Sequence, residues 1–338
     1  MMNYQENVGL LTDPFGRQIT YLRISVTDRC NFRCVYCMPP QGVPHVPHNR
    51  IMRYEEIVAF VQVAARQGIQ KVRITGGEPL VRADLPRLVE MISAIEGIEE
   101  ISLTTNGILL EKYASALASA GLRRVNVSLD TLSAEKFARI TRGGELEKVL
   151  RGIAAAEACG LTPIKINTVI MRGINDDELI DLAKLTLDHP WILRFIELMP
   201  IENQQTWGDG FPPPGEIFMP VREVMDILQP LGLKEVDLAG DSGPAIPYRL
   251  EGGIGTVGFI SPLTEQHFCQ RCNRLRLTAD GHLRPCLMSD VEIPILPALR
   301  GGEPILPLLQ EAVNRKPASH QLARHVSPNG RCMIQIGG

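Results

Sequence analysis

Cys30-Asn31-Phe32-Arg33-Cys34-Val35-Tyr36-Cys37 follows directly on a strand-like run, Thr20-Tyr21-Leu22-Arg23-Ile24-Ser25-Val26. Three thiols this close suit one soft metal centre. Three, rather than four, is the informative count. A four-iron cluster held by three cysteines keeps one iron open to a ligand that is not protein. A structural zinc site takes four closed ligands. Zinc ribbons also carry paired Cys-x2-Cys, whereas the spacing here is Cys-x3-Cys-x2-Cys. A zinc knuckle, or unrelated buried thiols, is the bland alternative.

Two further segments carry chemistry. Arg73-Ile74-Thr75-Gly76-Gly77-Glu78-Pro79 reads as the end of an apolar strand running into a glycine turn. Glycines there let backbone approach a ligand closely or take positive φ. Glu78 can accept hydrogen bonds from a cationic amine. Towards the other end, Cys269-Gln270-Arg271-Cys272 is followed by Cys286 after thirteen intervening residues. This too is a triad, and it leaves a second open position. His267 and His282 flank it, so a zinc site using a histidine is the alternative. A zinc ribbon would show a second close Cys-x2-Cys pair. Cys159 and Cys332 lie outside both triads and read as ordinary packed thiols.

Working outward, the chain repeats a strand–helix unit. Gly68, Gly97, Gly121 and Gly160 each end a helical pattern, as glycine does just past a last helical turn. Before Gly97, for instance, Leu85, Leu88, Met91, Ile92 and Ile95 recur at helical spacing. Each glycine is followed by a short β-rich run, and another helical pattern, residues 176–187, precedes the run at residues 193–198. Alternating strands and helices imply parallel strands with right-handed crossovers. With the run ending at Val26, six strands are expected. Six is too few for an ordinary eight-stranded barrel, so the pattern predicts an α/β fold, an open partial (β/α)6 barrel.

Every second strand residue is polar. Arg23, Ser25, Lys71, Arg73, Thr75, Ser102, Thr104, Asn126, Ser128, Lys165, Asn167 and Arg194 share one phase. Leu22, Ile24, Val72, Ile74, Val125, Val127, Ile164 and Ile166 share the other. Period two puts each set on one side of the sheet. Helices must cover the apolar side, so the polar side lines the lumen. A packed barrel interior would be Val, Ile and Leu. One such cation would most simply be a solvated side chain. Five of them on one face, with Glu78 as the single acid nearby, suit a polyanion such as a triphosphate.

The 338 residues suffice for two ordinary domains or for one large α/β unit with an extension. After about Lys234 the strand–helix rhythm stops and Gly and Pro crowd together. The expected division is residues 14–235 as the core and 236–338 as a C-terminal part around the second triad, lying across the open side of the barrel. The net charge of −3 provides no basic field for nucleic acid. No apolar run approaches a membrane span, and the start of the chain does not read as a secretory signal. Cysteines arranged in triads point to metal in a reducing cytoplasm.

The cysteine signature, with Tyr36 before its last cysteine, and the Gly-Gly-Glu-Pro turn resemble the radical S-adenosylmethionine enzymes. The C-terminal triad with Arg274 and Arg276, and the terminal Gly337-Gly338, narrow the resemblance to the GTP 3',8-cyclases of molybdenum cofactor biosynthesis. It covers nearly the whole chain from about Asp13. Residues 202–220 do not read clearly against it and look like a variable loop.

The resemblance implies two [4Fe-4S] clusters, held by Cys30, Cys34 and Cys37 and by Cys269, Cys272 and Cys286, with S-adenosylmethionine at the first. It implies that a 5'-deoxyadenosyl radical takes a hydrogen from C3' of GTP. The C3' radical then attacks C8, and reduction of the resulting nucleotide radical closes (8S)-3',8-cyclo-7,8-dihydroguanosine 5'-triphosphate. Tyr36, Gly77, Ser128 and Met199 would contact S-adenosylmethionine. Arg23, Arg73, Thr104, Lys165, Arg274, Leu275 and Arg276 would contact GTP, and Arg23, Arg73, Gly337 and Gly338 would act in catalysis. The implied partners are a flavodoxin- or ferredoxin-type electron donor and the downstream cyclic pyranopterin monophosphate synthase. A homodimer is allowed. Two other classes remain open on residues alone: a radical enzyme acting on a peptide, and a non-enzymatic zinc-binding interaction protein.

Overall fold

The computed structural model of the chain describes residues 9–199, 208, 210–237, 243–320, 322 and 331–337. Six strands run in the expected order: β1 (Tyr21–Ser25), β2 (Lys71–Thr75), β3 (Glu100–Thr105), β4 (Arg124–Ser128), β5 (Lys165–Ile170) and β6 (Ile192–Glu197). Between them come α1 (Tyr54–Arg66), α2 (Leu85–Ser93), α3 (Leu110–Ser119), α4 (Ala134–Thr141), α5 (Leu146–Ala158) and α6 (Leu179–Asp188). Neighbouring strands pair in parallel throughout. The helices stop where the glycines predict. Gly121 takes φ +101°, and the amide of Leu122 turns back to the carbonyl of Leu117 at 3.0 Å. A Cβ there would also stand 2.9 Å from that of Ser93, so both conformation and space call for glycine.

The apolar phase is covered by the helices, as expected. Leu22, Ile24, Val72, Ile74, Val125, Val127 and Ile166 are fully buried, together with Phe60, Val61, Leu88, Ile92 and Leu117 of α1–α3. This main core sits between sheet and helices, and it turns the other sheet face inward.

The C-terminal residues do something the broken rhythm did not suggest. After α7 (Pro214–Ile217) and α8 (Val221–Leu228) come β7 (Lys234–Glu235), β8 (Ile246–Arg249), β9 (Thr256–Ile260), β10 (Arg274–Leu277), β11 (His282–Arg284) and β12 (Ile293–Pro294), then α9 (Leu296–Gly301) and α10 (Leu306–Asn314). The strands extend the same sheet at both ends, in the order β12-β11-β10-β1-β2-β3-β4-β5-β6-β9-β8-β7. β9 lies parallel to β6, and β10 parallel to β1. The parallel portion is therefore two strands longer than the six read from the sequence, yet it stays open, because β9 and β10 pair with antiparallel neighbours instead of each other. A parallel strand that arrives through a long irregular connection leaves no helical period to announce it. Among the described residues no helix is long and apolar enough to cross a membrane.

Candidate active site

The polar sheet face and the loops at its strand ends enclose a cavity of about 830 Å³, within the usual range of small-molecule sites. All five cations placed by strand phase, Arg23, Lys71, Arg73, Lys165 and Arg194, line it. The register sets Arg276 of β10 beside Arg23, and Arg23 beside Arg73. Three guanidinium groups on adjacent strands repel one another in a confined space. Burial first, then Arg276 and Arg73, hold Arg23 well below its usual value. Burial and Arg274 bring Arg276 down to about 10. Such a row favours the arrival of an anion with several negative oxygens.

Other groups hold this row in place. Arg73 lies over the ring of Tyr21 at 5.3 Å and donates from Nε to Ser102 Oγ at 3.3 Å. The Asn126 amide, oriented by its hydrogen-bonding neighbours, accepts from Arg73 Nη1 at 2.5 Å and from Arg194 Nη2 at 3.1 Å. Thr104 Oγ1 and Asn167 Oδ1 are buried and, among the described residues, without a hydrogen-bond partner, on residues that line the same cavity. Buried polar atoms of this kind call for a ligand or water.

Strand phase also reaches residues the sequence reading passed over. Arg124 shares the phase of Asn126, and Glu100 that of Ser102. Both line the cavity and pair with each other, Arg124 Nε donating to Glu100 Oε1 at 2.7 Å. Asp130, two residues past β4, lines it as well. Glu78 is therefore not the single acid near the lumen. Nor does its carboxylate wait for an amine: it accepts from Leu80 N at 3.0 Å, Thr105 Oγ1 at 2.8 Å and Asn106 N at 2.7 Å. Burial, set against those donors, lifts Glu78 to about 7.

The Gly76-Gly77 turn owes its glycines to protein rather than to open space. Gly77 N donates to Thr27 O and Glu78 N to Arg29 O, each at 2.8 Å. A Cβ on Gly77 would lie 2.3 Å from Arg29 O, and one on Gly76 2.8 Å from Thr27 O. Neither adopts positive φ. The glycines let this turn run tightly against the segment that leads into the first cysteines, and Gly77 still faces the cavity.

Both triads border the cavity: Cys30, Cys34 and Cys37, and Cys269, Cys272 and Cys286. Their surroundings differ. Burial pushes Cys30 up to about 11 and raises Cys34 and Cys37 well above the ordinary thiol value; Cys30 adds to the rise of both, and Cys37 to that of Cys34. Cys332 adds to the effect on Cys37, so this thiol lies beside the first triad. At the second triad burial would raise Cys272, but Lys316 and Arg274 outweigh it and bring the thiol down to about 7. Among the described residues no three His, Cys, Asp or Glu side chains converge on a point as a single ion requires. A four-iron cubane is larger than an ion and spreads its cysteines. His282 is engaged with Asp280 and Arg331, and His267 is exposed.

Of the remaining expected residues, Tyr36, Ser128, Met199, Thr104 and Arg274 line the cavity. Tyr36 spends its hydroxyl on Asp130 Oδ2 at 2.6 Å. Leu275 does not join them: its side chain is fully buried in the core, in register with Leu22, which leaves only its backbone for a substrate. Gly337 reaches the lumen. Its carbonyl accepts from Arg23 Nη2 at 3.1 Å, Thr75 Oγ1 at 3.3 Å and Arg276 Nη1 at 3.3 Å. With φ +72° and Thr75 Oγ1 only 2.6 Å from a would-be Cβ, this position suits glycine alone. Gly338 lies outside the described residues, as does most of the stretch 202–209.

Comparison with known proteins fits this geometry. The sequence model of the Radical SAM superfamily matches residues 24–186, and that described as Molybdenum Cofactor Synthesis C matches residues 191–322. A GTP 3',8-cyclase of Pelotomaculum thermopropionicum is 50% identical over 333 residues, 97% of this chain and 100% of the relative. One of Moorella thermoacetica is 51% identical over 335 residues, again 97% and 100%. The chain belongs to the GTP 3',8-cyclase family. It is thus an enzyme of the radical S-adenosylmethionine superfamily, and the readings as a peptide-modifying radical enzyme or a zinc-binding interaction protein fall away. Among solved structures, native anSMEcpe with bound AdoMet superposes with a TM-score of 0.56 at 16% identity, covering 91% of this chain and 82% of that one. Streptococcus suis SuiB bound to S-adenosylmethionine also gives 0.56, at 12% identity, covering 82% and 61%. At such identities the likeness is one of fold.

Proposed function

We propose that this enzyme cyclises GTP to (8S)-3',8-cyclo-7,8-dihydroguanosine 5'-triphosphate, the first step of molybdenum cofactor biosynthesis, inside the cation-lined cavity. One observation carries the reading: three arginines on adjacent strands converge on a lumen bordered by both cysteine triads. Cys30, Cys34 and Cys37 would hold the iron–sulfur cluster at which S-adenosylmethionine binds. When bound, that pair supplies a 5'-deoxyadenosyl radical able to take the hydrogen from C3' of the ribose. Cys269, Cys272 and Cys286 would hold a second cluster. Relative lack of solvent, open positions and thiol-only donor sets suit both centres.

The chain's own residues bind and orient. Arg23, Arg73, Lys165 and Arg276 would hold the triphosphate by charge-assisted hydrogen bonds, with Arg274 and Thr104 and the backbone of Leu275 as further contacts. Tyr36, Gly77, Ser128 and Met199 would line the S-adenosylmethionine side. The tail, Gly337 and Gly338, would narrow the lumen where the ribose must sit, holding the reacting carbon close to its partner. Arg23 and Arg276 already meet the Gly337 carbonyl, so they would serve both tail and substrate. The division near residue 235, a cytoplasmic setting, a low-potential flavodoxin or ferredoxin donor, a homodimer and delivery to cyclic pyranopterin monophosphate synthase complete the proposal. Anaerobic turnover with GTP and S-adenosylmethionine tests it. The expected result is 5'-deoxyadenosine and cyclised nucleotide formed together; 5'-deoxyadenosine without any nucleotide product would contradict it.

A further inference from the structure

Lys316, just past the end of α10, is 3% exposed. An ammonium group has three donors and no acceptor, and here two are spent on backbone carbonyls. One goes to the carbonyl of Arg274 at 2.7 Å and one to the carbonyl of Pro285 at 2.6 Å. The ammonium also faces the sulfur of Cys272 closely enough for its charge to favour the thiolate. Arg274 lies two residues after Cys272, and Pro285 immediately precedes Cys286. One side chain therefore ties together the two cysteine-bearing segments on either side of β10 and β11.

The third cysteine is tied to the same neighbourhood. Arg17 donates to Cys269 O at 2.8 Å, to Pro317 O at 2.6 Å and to Ala318 O at 3.0 Å, while Asp13 orients it from 2.5 Å. The His320 ring lies against that of Phe268, the residue before Cys269, with centroids 6.3 Å apart. So the stretch 316–320 touches every loop that carries a cysteine of this triad. Among the described residues no carboxylate lies within ion-pair range of Lys316. A buried ammonium without a counter-charge is costly, and the negative group facing this one is sulfur.

We propose that Lys316 is the positioning residue of the C-terminal triad, fixing Cys272 and Cys286 relative to each other and raising the reduction potential of the iron–sulfur centre they would hold. The inference rests on the reading that the triad holds such a centre. Reduction adds one electron and one negative charge to it. A fixed positive charge beside a ligating sulfur favours that reduced state, and so raises the potential.

The test uses the full chain with Cys30, Cys34 and Cys37 all replaced by serine, reconstituted anaerobically so that one centre remains. Lys316, Lys316→Met and Lys316→Arg are compared by iron and sulfide content and by a redox titration followed by electron paramagnetic resonance. Methionine keeps the length and loses the charge and donors; arginine keeps the charge. In Lys316→Met the midpoint should move to a lower potential, with partial loss of iron, and Lys316→Arg should recover most of both. An unchanged midpoint and iron content in Lys316→Met overturns the inference, as does complete loss of iron from both variants. Absence of iron when Lys316 is intact would instead overturn the underlying reading of the triad.

Discussion

The two cysteine triads face one cavity, but Cys272 of the second sits in an electrostatic setting opposite to that of the first triad. Around Cys30, Cys34 and Cys37 the nearby ionisable groups are mainly acids and other thiols, Glu78 and Asp130 among them, and burial dominates. Around Cys272 stand Lys316 and Arg274, which more than offset burial. Equal cysteine counts thus hide unequal sites. The first would hold its centre in a setting that disfavours added negative charge on the protein. The second would hold its centre among cations, next to the arginine row that suits a triphosphate.

Four measurements would break or sharpen that contrast. The largest effect should come from the cysteines. Cys34→Ser should abolish formation of 5'-deoxyadenosine altogether, while Cys272→Ser should keep some of it and lose cyclisation. Full cyclisation by the Cys272 variant would mean that the second triad does not serve the substrate. Next comes the tail. Deleting Gly337 and Gly338 should lower cyclisation by about a hundredfold, the scale of a small misplacement of reacting groups, with iron content and GTP affinity nearly unchanged. Unaltered turnover would return the tail to the status of a loose end.

A smaller effect is expected on the arginine row. Charge-assisted hydrogen bonds contribute about 1.5–3 kcal/mol each, so Arg73→Ala should weaken GTP binding by about one to two powers of ten. Calorimetry should find S-adenosylmethionine binding unaffected, and equal GTP affinity would place the triphosphate elsewhere. The subtlest effect is a pH profile. A thiol reacts as thiolate, so its alkylation rises with pH until the pH passes its pKa. In metal-free, reduced protein, Cys272, at about 7, should be near half its full rate at neutrality and level off at mildly alkaline pH. Cys30, at about 11, should still be gaining rate well above pH 9. Peptide mapping after timed alkylation reads both at once, and superimposed profiles would erase the contrast between the triads.

Much of this was legible before any coordinates. The alternation of Arg23, Lys71, Arg73, Lys165 and Arg194 with apolar neighbours is a local property of strands, and side-chain direction follows from it. All five do face the cavity. Arg124 and Glu100 obey the same rule and could have been read with it. Leu275 shows the limit of transferring a site by motif: its own strand phase sends its side chain to the core. Glu78 shows another. A carboxylate beside a glycine turn looks available, yet Leu80 N from its own segment and two donors at the end of β3 already occupy it.

What the sequence determined by itself was whatever depends on neighbours in the chain: the cysteine spacings, the strand and helix periods, the glycine stops and the family to which the chain belongs. Only the tertiary structure decided which distant segments meet. It brought β10 beside β1, so that Arg276 stands next to Arg23. It carried Gly337 to both of those arginines. It set Lys316 between the loops of Cys272 and Cys286. The physical reason is that period and propensity act over a few residues, whereas pairing across hundreds is chosen by the burial and hydrogen bonding of the whole chain.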